Sequence, residues 1–212
     1  MRLFRGLIRI PIRMENSLCL LMNSTEAEAR EIARGLRRRD PSLLDELIGR
    51  YQYRLPRYLW TLTGSREAAR DLFQETWIRV LEKSHQYNPR WRFEAWLFSI
   101  ARHLAIDLLR RRQPESLEAL LRPGDALLPR EWPASESPTP FQAVAQAEQA
   151  ERVQRALRRL PAETREVMVL RFQEDLSLNE IAEVVRAPVS TVKSRLYRAL
   201  EAFRKLAQEE MR

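Results

Sequence analysis

Apolar residues in this chain recur at helical spacing. The clearest case starts at Phe93. Phe93, Trp96, Leu97, Ile100, Ala101, Leu104 and Leu108 fall at offsets 0, 3, 4, 7, 8, 11 and 15, a stripe along one side of a helix. That helix ends in Arg110-Arg111-Arg112, before Pro114, and the basic end complements its C-terminal dipole. Upstream, one helix is predicted from about Ser42 to Leu62. A second follows Gly64, with Ser65 as N-cap and Glu67 in the first turn, and runs to about Lys83. This second helix has two faces. Ala68, Ala69, Leu72, Thr76 and Val80 make a narrow inner stripe. Asp71, Gln74, Ile78 and Leu81 lie opposite, with Trp77 at the edge. Ile and Leu beside acids suit either a docking surface for another protein or a face covered by another helix of the same domain.

The C-terminal part reads as helix, helix, short helix, long helix. A helix from Phe141 to Leu160 is broken by Pro161, which opens the next one, running to about Phe172. Ser177-Leu-Asn-Glu180 is a capping box for a short helix to about Val185. After Arg186-Ala187, Pro188 opens a long helix with Val192, Leu196, Ala199, Leu200, Phe203 and Ala207 on one face.

Charge and proline divide these elements into blocks. Residues 41–112 carry 13 basic and 8 acidic side chains, and residues 151–212 carry 13 and 10. Between them, residues 113–150 carry 2 and 6 and hold six of the twelve prolines, a composition that favours an extended linker over a continuous helix. The predicted fold is therefore all-α: two small helical domains joined by a Pro-rich linker, the C-terminal one a four-helix helix-turn-helix. Residues 1–40 form a leader and an N-terminal helix. Arg9 and Arg13 interrupt the apolar runs at the start, so residues 1–21 read as a non-structural leader or a misassigned start, with Met1, Met14 and Met22 as alternative first residues. No stretch approaches the ~20 apolar residues of a membrane span.

Composition narrows the chemistry. The chain has 212 residues and a net charge of +8, and all but three of its 37 basic residues are arginine. Arginine's planar fork suits phosphate, although a codon bias toward arginine gives the same count. One cysteine, Cys19, excludes an internal disulfide, and two histidines, His85 and His103, make a His-rich metal site a poor expectation.

Two constellations point to nucleic acid. A short capped helix, a tight turn and a long helix make a helix-turn-helix signal, with the second helix entering the major groove. Its outward residues Ser190, Thr191, Lys193, Ser194, Arg195, Tyr197 and Arg198 are donors for bases and phosphates. The bland alternative is a helical hairpin with a basic solvated face. The second constellation is Lys83–Trp96, KSHQYNPRWRFEAW, where Tyr87, Trp91, Phe93 and Trp96 interleave with His85, Arg90 and Arg92. Aromatic rings beside cations stack unpaired bases. Phe93 and Trp96 fit the helix stripe and so the core. Tyr87 and Trp91 precede it and are the candidates for exposed stacking.

The motifs DLFQETW at 71–77 and RFEAWLFSIARHLAIDLLRRR at 92–112 resemble region two of extracytoplasmic-function sigma factors. Residues 157–206, from LRRLPAETREVMVLRF to LYRALEAFRKL, resemble their region four. The two occur in the family's order with a linker between them. The resemblance implies that the helix with Asp71, Gln74, Glu75, Trp77, Ile78 and Leu81 docks on the clamp coiled coil of core RNA polymerase. It implies that the loop His85–Arg92, with Tyr87, Asn88, Arg90 and Trp91, captures unstacked bases of the minus-ten element. Arg102, His103, Arg110 and Arg111 would lie along the adjoining DNA. Ser190, Thr191, Lys193, Ser194, Arg195 and Arg198 would read the minus-thirty-five element. Promoter DNA and an anti-sigma factor are further implied partners.

Three positions depart from the family's habit: Arg186 and Ser190 stand where glycine is common, and His103 where asparagine is frequent. The expected function is a cytoplasmic promoter-recognition and strand-opening subunit, not an enzyme, with no catalytic residue, cofactor or metal. One rival is a stand-alone helix-turn-helix regulator, which gives the 71–81 face and the aromatic segment no role. Another is a helical nuclease, for which Asp71, Glu75 and Asp107 lack metal-ligand spacing.

Overall fold

The protein is represented by a computed structural model that describes residues 17–112, 157 and 159–209. Every regular element among them is helical. The helices are α1 (Ser17–Arg38), α2 (Pro41–Tyr51), α3 (Arg54–Thr63), α4 (Arg66–Glu82), α5 (Phe93–Arg112), α6 (Ala162–Phe172), α7 (Leu178–Val185) and α8 (Val189–Glu209). A single 3-10 turn, Ser84–Gln86, lies between α4 and α5. The linker 113–150 and most of the helix expected before Leu160 lie outside the described residues, as does the leader up to residue 16.

Local chemistry explains the boundaries. Asp40 caps α2 through its side chain, accepting from the Ser42 N–H at 3.0 Å, and Pro41 occupies the first turn. The single helix expected over 42–62 is two. Pro56 has no N–H to give Gln52, and its ring would collide with the Gln52 carbonyl in a continuous helix. The chain breaks at Gln52-Tyr53 and restarts at Arg54, which leaves Pro56 in the first turn of α3, where it is tolerated. Gly64 ends α3 at φ 69°, returning its N–H to the Trp60 carbonyl at 2.8 Å. Ser65 then caps α4 by accepting from the Ala68 N–H. Gly35 serves a different need: a Cβ there would meet Leu43 Cδ2 at 2.3 Å, so any larger residue would oblige the Leu43 side chain to move where α1 approaches α2.

The core has two textures. Around α2–α5 it is aromatic, with Tyr51, Tyr58, Tyr87 and Phe98 fully buried and Tyr58 edge-on to Phe98 at 5.0 Å. Around α6–α8 it is aliphatic, built on Val167, Leu170, Leu176, Ile181 and Val192. Both sets belong to one continuous apolar cluster, because α7 packs along α5 and α6 meets α3. A smaller cluster of Leu157, Leu160, Met168 and Ala199 lies under α8.

Candidate nucleic-acid interface

The helix-turn-helix is built by caps. Ser177 accepts from the Glu180 N–H at 3.3 Å, and the Glu180 carboxylate accepts from the Ser177 N–H at 2.8 Å. This reciprocal pair fixes the start of α7. Arg186 ends it in the left-handed region at φ 52°, ψ 51°, with the Ala187 N–H returning to the Ala182 carbonyl at 3.1 Å. That is the backbone glycine would take without strain. The turn delivers α8 with Val192 and Ala199 buried and Ser190, Lys193, Ser194, Tyr197 and Arg198 in solvent. Thr191 is half-buried. Ser194 donates to the Thr191 carbonyl, and the Arg198 guanidinium lies back on Ser194. Arg195 pairs with Glu163, which ties α8 to the start of α6.

The loop 83–92 is built differently. Asn88 Oδ1 accepts from the Arg90 N–H at 3.1 Å, and the Asn88 carbonyl from the Trp91 N–H at 3.1 Å. These bonds close a turn that holds Trp91 outward, 43% exposed. Tyr87 was expected to be exposed, and the structure corrects this. Its ring is 1% exposed, packed edge-on to Phe93 at 5.6 Å and beside Trp96 at 5.0 Å. Its hydroxyl donates to the Trp91 carbonyl at 2.9 Å. Burial pushes the Tyr87 phenol well above its usual pKa, so it stays a neutral donor. Tyr87 is thus the support of the loop, and Trp91 is the ring it presents. A cavity of about 290 Å³ lies beside them, lined by Gln86, Tyr87, Asn88, Trp91, Ala95, Trp96 and Ser99. Its remaining wall is Glu183 and Arg186 from the helix-turn-helix.

The third surface is the outer face of α4. Asp71, Gln74 and Ile78 are exposed, Ile78 by half, while Glu75 and Leu81 are partly covered. Arg79 bridges Glu75 and Glu82 at 2.9 Å each. Trp77 does not share this face. It is buried against Tyr51, Phe73 and Phe93, because the aromatic core draws the large ring inward.

Several arginines are placed where sequence periodicity gave no warning. His103, Arg110 and Arg111 are exposed on α5, and His85 and Arg90 on the loop. Arg102, by contrast, donates from Nε to Glu166 Oε1 at 2.8 Å, where Glu166 is 1% exposed and also accepts from the Tyr58 hydroxyl at 2.8 Å. Burial works against the Arg102 charge, and Glu166 outweighs it, holding the guanidinium's pKa above normal. Glu174, fully buried, accepts from Arg54 at 2.8 Å and Arg57 at 3.4 Å. Arg92 donates to the Asp175 carbonyl at 3.0 Å. Glu166 and Glu174 belonged to no expected site. Among the described residues, no group of three His, Cys, Asp or Glu side chains could hold a metal ion, and no helix is long and apolar enough to cross a membrane.

Comparison with known proteins shows the family. Residues 47–115 match the family Sigma-70 region 2, and residues 150–203 match Sigma-70, region 4. The chain is 30% identical over 167 residues to the ECF RNA polymerase sigma factor SigW of Bacillus subtilis, covering 78% of this chain and 89% of that one. It is 36% identical over 160 residues to the ECF RNA polymerase sigma factor SigE of Mycolicibacterium smegmatis, covering 76% of this chain and 60% of that one. Among solved structures, it resembles the sigma factor RpoE of Bartonella quintana, crystallised with the anti-sigma factor NepR. That match has a TM-score of 0.57 at 22% identity, over 77% of this chain and 96% of that one. These matches define a transcription-initiation subunit with a DNA-binding helix-turn-helix. Within that class, the chain belongs to the extracytoplasmic-function RNA polymerase sigma factors.

Proposed function

We propose that the two promoter elements are read by physically different parts of this chain. Ser190, Thr191, Lys193, Ser194, Arg195 and Arg198 of α8 read the minus-thirty-five element in the major groove. Trp91 and the cavity beside it take an unstacked base of the minus-ten element, with His85, Asn88, Arg90 and Arg92 at its margin. Arg102, His103, Arg110 and Arg111 follow the adjoining backbone. Flipping a base costs a few kcal/mol, and stacking it on an aromatic ring returns about 1–3 kcal/mol. The exposed Ile78, flanked by Asp71, Gln74, Glu75 and Leu81, docks on core polymerase. Trp77 supports that surface from inside. Polymerase performs the phosphoryl transfer; this chain supplies no catalytic group and needs no cofactor.

The single observation that carries the reading is Trp91, held outward beside a cavity by a turn that the Asn88 side chain and carbonyl close. A stand-alone regulator has no use for that ring or for Ile78. The protein acts in the cytoplasm, where core polymerase and DNA are. An anti-sigma factor is a further partner, as NepR is for the Bartonella protein.

Run-off transcription with purified core polymerase over a genomic promoter library tests the reading. It requires initiation at a subset of promoters, and no initiation at any of them overturns it. In the same system Ile78→Asp should lower polymerase co-purification while leaving the circular-dichroism spectrum unchanged. A molten spectrum would place Ile78 in the core instead.

A further inference from the structure

Two free charges line the cavity beside Trp91. Glu183 and Arg186, three residues apart at the end of α7, form one wall, and both are exposed. Neither has an ion-pair partner among the described residues. The other walls are largely aromatic, Trp91 and Trp96, with the amides of Gln86 and Asn88 beside them. The volume, about 290 Å³, lies at the small end of small-molecule sites, which run to about 1,000 Å³. It suits one planar base rather than a whole nucleotide. The charges specify the edge of that base. An ionised carboxylate only accepts, and guanine offers it two adjacent donors, N1–H and N2–H. A guanidinium only donates, and guanine offers it paired acceptors at O6 and N7. Adenine would set an acceptor, N1, against Glu183 and a donor, N6–H, against Arg186. Beyond the base slot the surroundings turn cationic. His103 adjoins the cavity: its imidazole lies beside the carbonyl of Ser99, a lining residue, and Arg186 and Lys83 are both near enough to lower its pKa. Asp107 acts on it in the opposite sense. Two permanent cations and an imidazole donor thus gather where a sugar-phosphate would leave the cavity.

We propose that this cavity binds a free guanine nucleotide. Trp91 and Trp96 hold the base, Glu183 and Arg186 read its edge, and Lys83 and His103 take the phosphate. A bound nucleotide excludes any other base from the same slot, so the two compete for Trp91. The site stands on the cavity and the charges around it, and does not depend on the reading of Trp91 as a promoter contact.

Isothermal titration calorimetry on the full-length chain tests the site, with guanosine 5′-monophosphate (GMP), AMP, CMP and guanosine as probes. GMP should bind about tenfold more tightly than AMP or CMP, the discrimination expected of one paired base contact. Glu183→Gln puts an amide donor where an acceptor oxygen stood, at an exposed position. It should weaken GMP about tenfold and leave AMP unchanged. Lys83→Ala, also at an exposed position, should weaken GMP and leave guanosine unchanged, since Lys83 meets only the phosphate. GMP, but not guanosine, should raise the pKa of the His103 imidazole followed by NMR. The absence of saturable heat with GMP, or equal affinity for the three nucleotides, overturns the proposal. So does a Glu183→Gln chain that keeps the full preference for GMP. Run-off transcription separates this site from the promoter reading. A holoenzyme that initiates while the free chain binds no GMP removes only the nucleotide site. GMP binding by a chain whose holoenzyme never initiates removes only the promoter reading.

Discussion

The loop 83–92 and the outer face of α8, the two surfaces proposed to read the promoter, are built by opposite means. The loop presents a single ring, Trp91, on a support of buried aromatics, with the Tyr87 hydroxyl bonded to the Trp91 carbonyl. The helix face presents several polar side chains, mostly in solvent, with Arg195 pinned by an ion pair to Glu163. A rigid cavity suits a base that must be held out of its stack, since little ordering remains to be done on binding. A groove reader needs long side chains that settle on base edges and phosphates after arrival. The difference implies that changes in the loop's buried support damage fold and function together, whereas changes at Trp91 or on α8 damage function alone.

The largest expected effect probes the loop's support. Tyr87→Ala removes a fully buried ring and should cost about 3–5 kcal/mol in urea unfolding. A loss below about 1 kcal/mol would mean the loop stands without it. Lys193→Ala should leave the unfolding midpoint within about 0.5 kcal/mol of the parent. It should weaken minus-thirty-five binding by about 1–3 kcal/mol if the contact is to a base, or flatten the salt dependence uniformly if it is to a phosphate. Trp91→Ala sits between these two. It is half-exposed, so the fold should survive, but strand opening should fall more than closed-complex binding; equal loss in both steps would count against stacking.

Smaller effects sharpen the comparison at the turn where the two regions meet. Arg186→Gly relieves a left-handed non-glycine backbone and should stabilise the protein by about 1 kcal/mol, read as a rise in the urea midpoint. His103 gives the smallest effect. Partial burial and the nearby Arg186 guanidinium lower its pKa, so the folded chain holds fewer protons than the unfolded chain. Stability is therefore full above about pH 6.5 and declines as the pH falls toward the lowered folded value. His103→Gln should flatten that slope in pH-dependent melts, and an unchanged slope would assign it to other groups.

Much of the fold was legible because its signals are local. The Phe93 stripe, the Ser65 cap and the Ser177–Glu180 box each involve residues within a few positions of one another, and all three appear as read. The break at Gln52-Tyr53 was also written locally, in Pro56, but the apolar periodicity on either side masked it. Burial was harder. Trp77 and Tyr87 look like surface residues on a helical wheel or in a loop; only the packing of α2, α4 and α5 around them draws them in. The pairing of Arg54 with Glu174 spans 120 residues, and no periodic pattern encodes it. The linker that separates the two modules in sequence likewise gave no hint that they share an apolar cluster.

Those long-range pairs bear on how such proteins can be recombined. A chimera that grafts a relative's helix-turn-helix onto this chain's N-terminal half would set a foreign side chain opposite Arg54, Arg57 and Arg102. Breaking one side of a buried ion pair costs about 3–5 kcal/mol, on the scale of a small domain's whole stability. The promoter-reading halves are therefore not free cassettes. A graft that carries Glu166 and Glu174 along with α8 inherits the matching surface, and one that carries only the recognition helix leaves it intact.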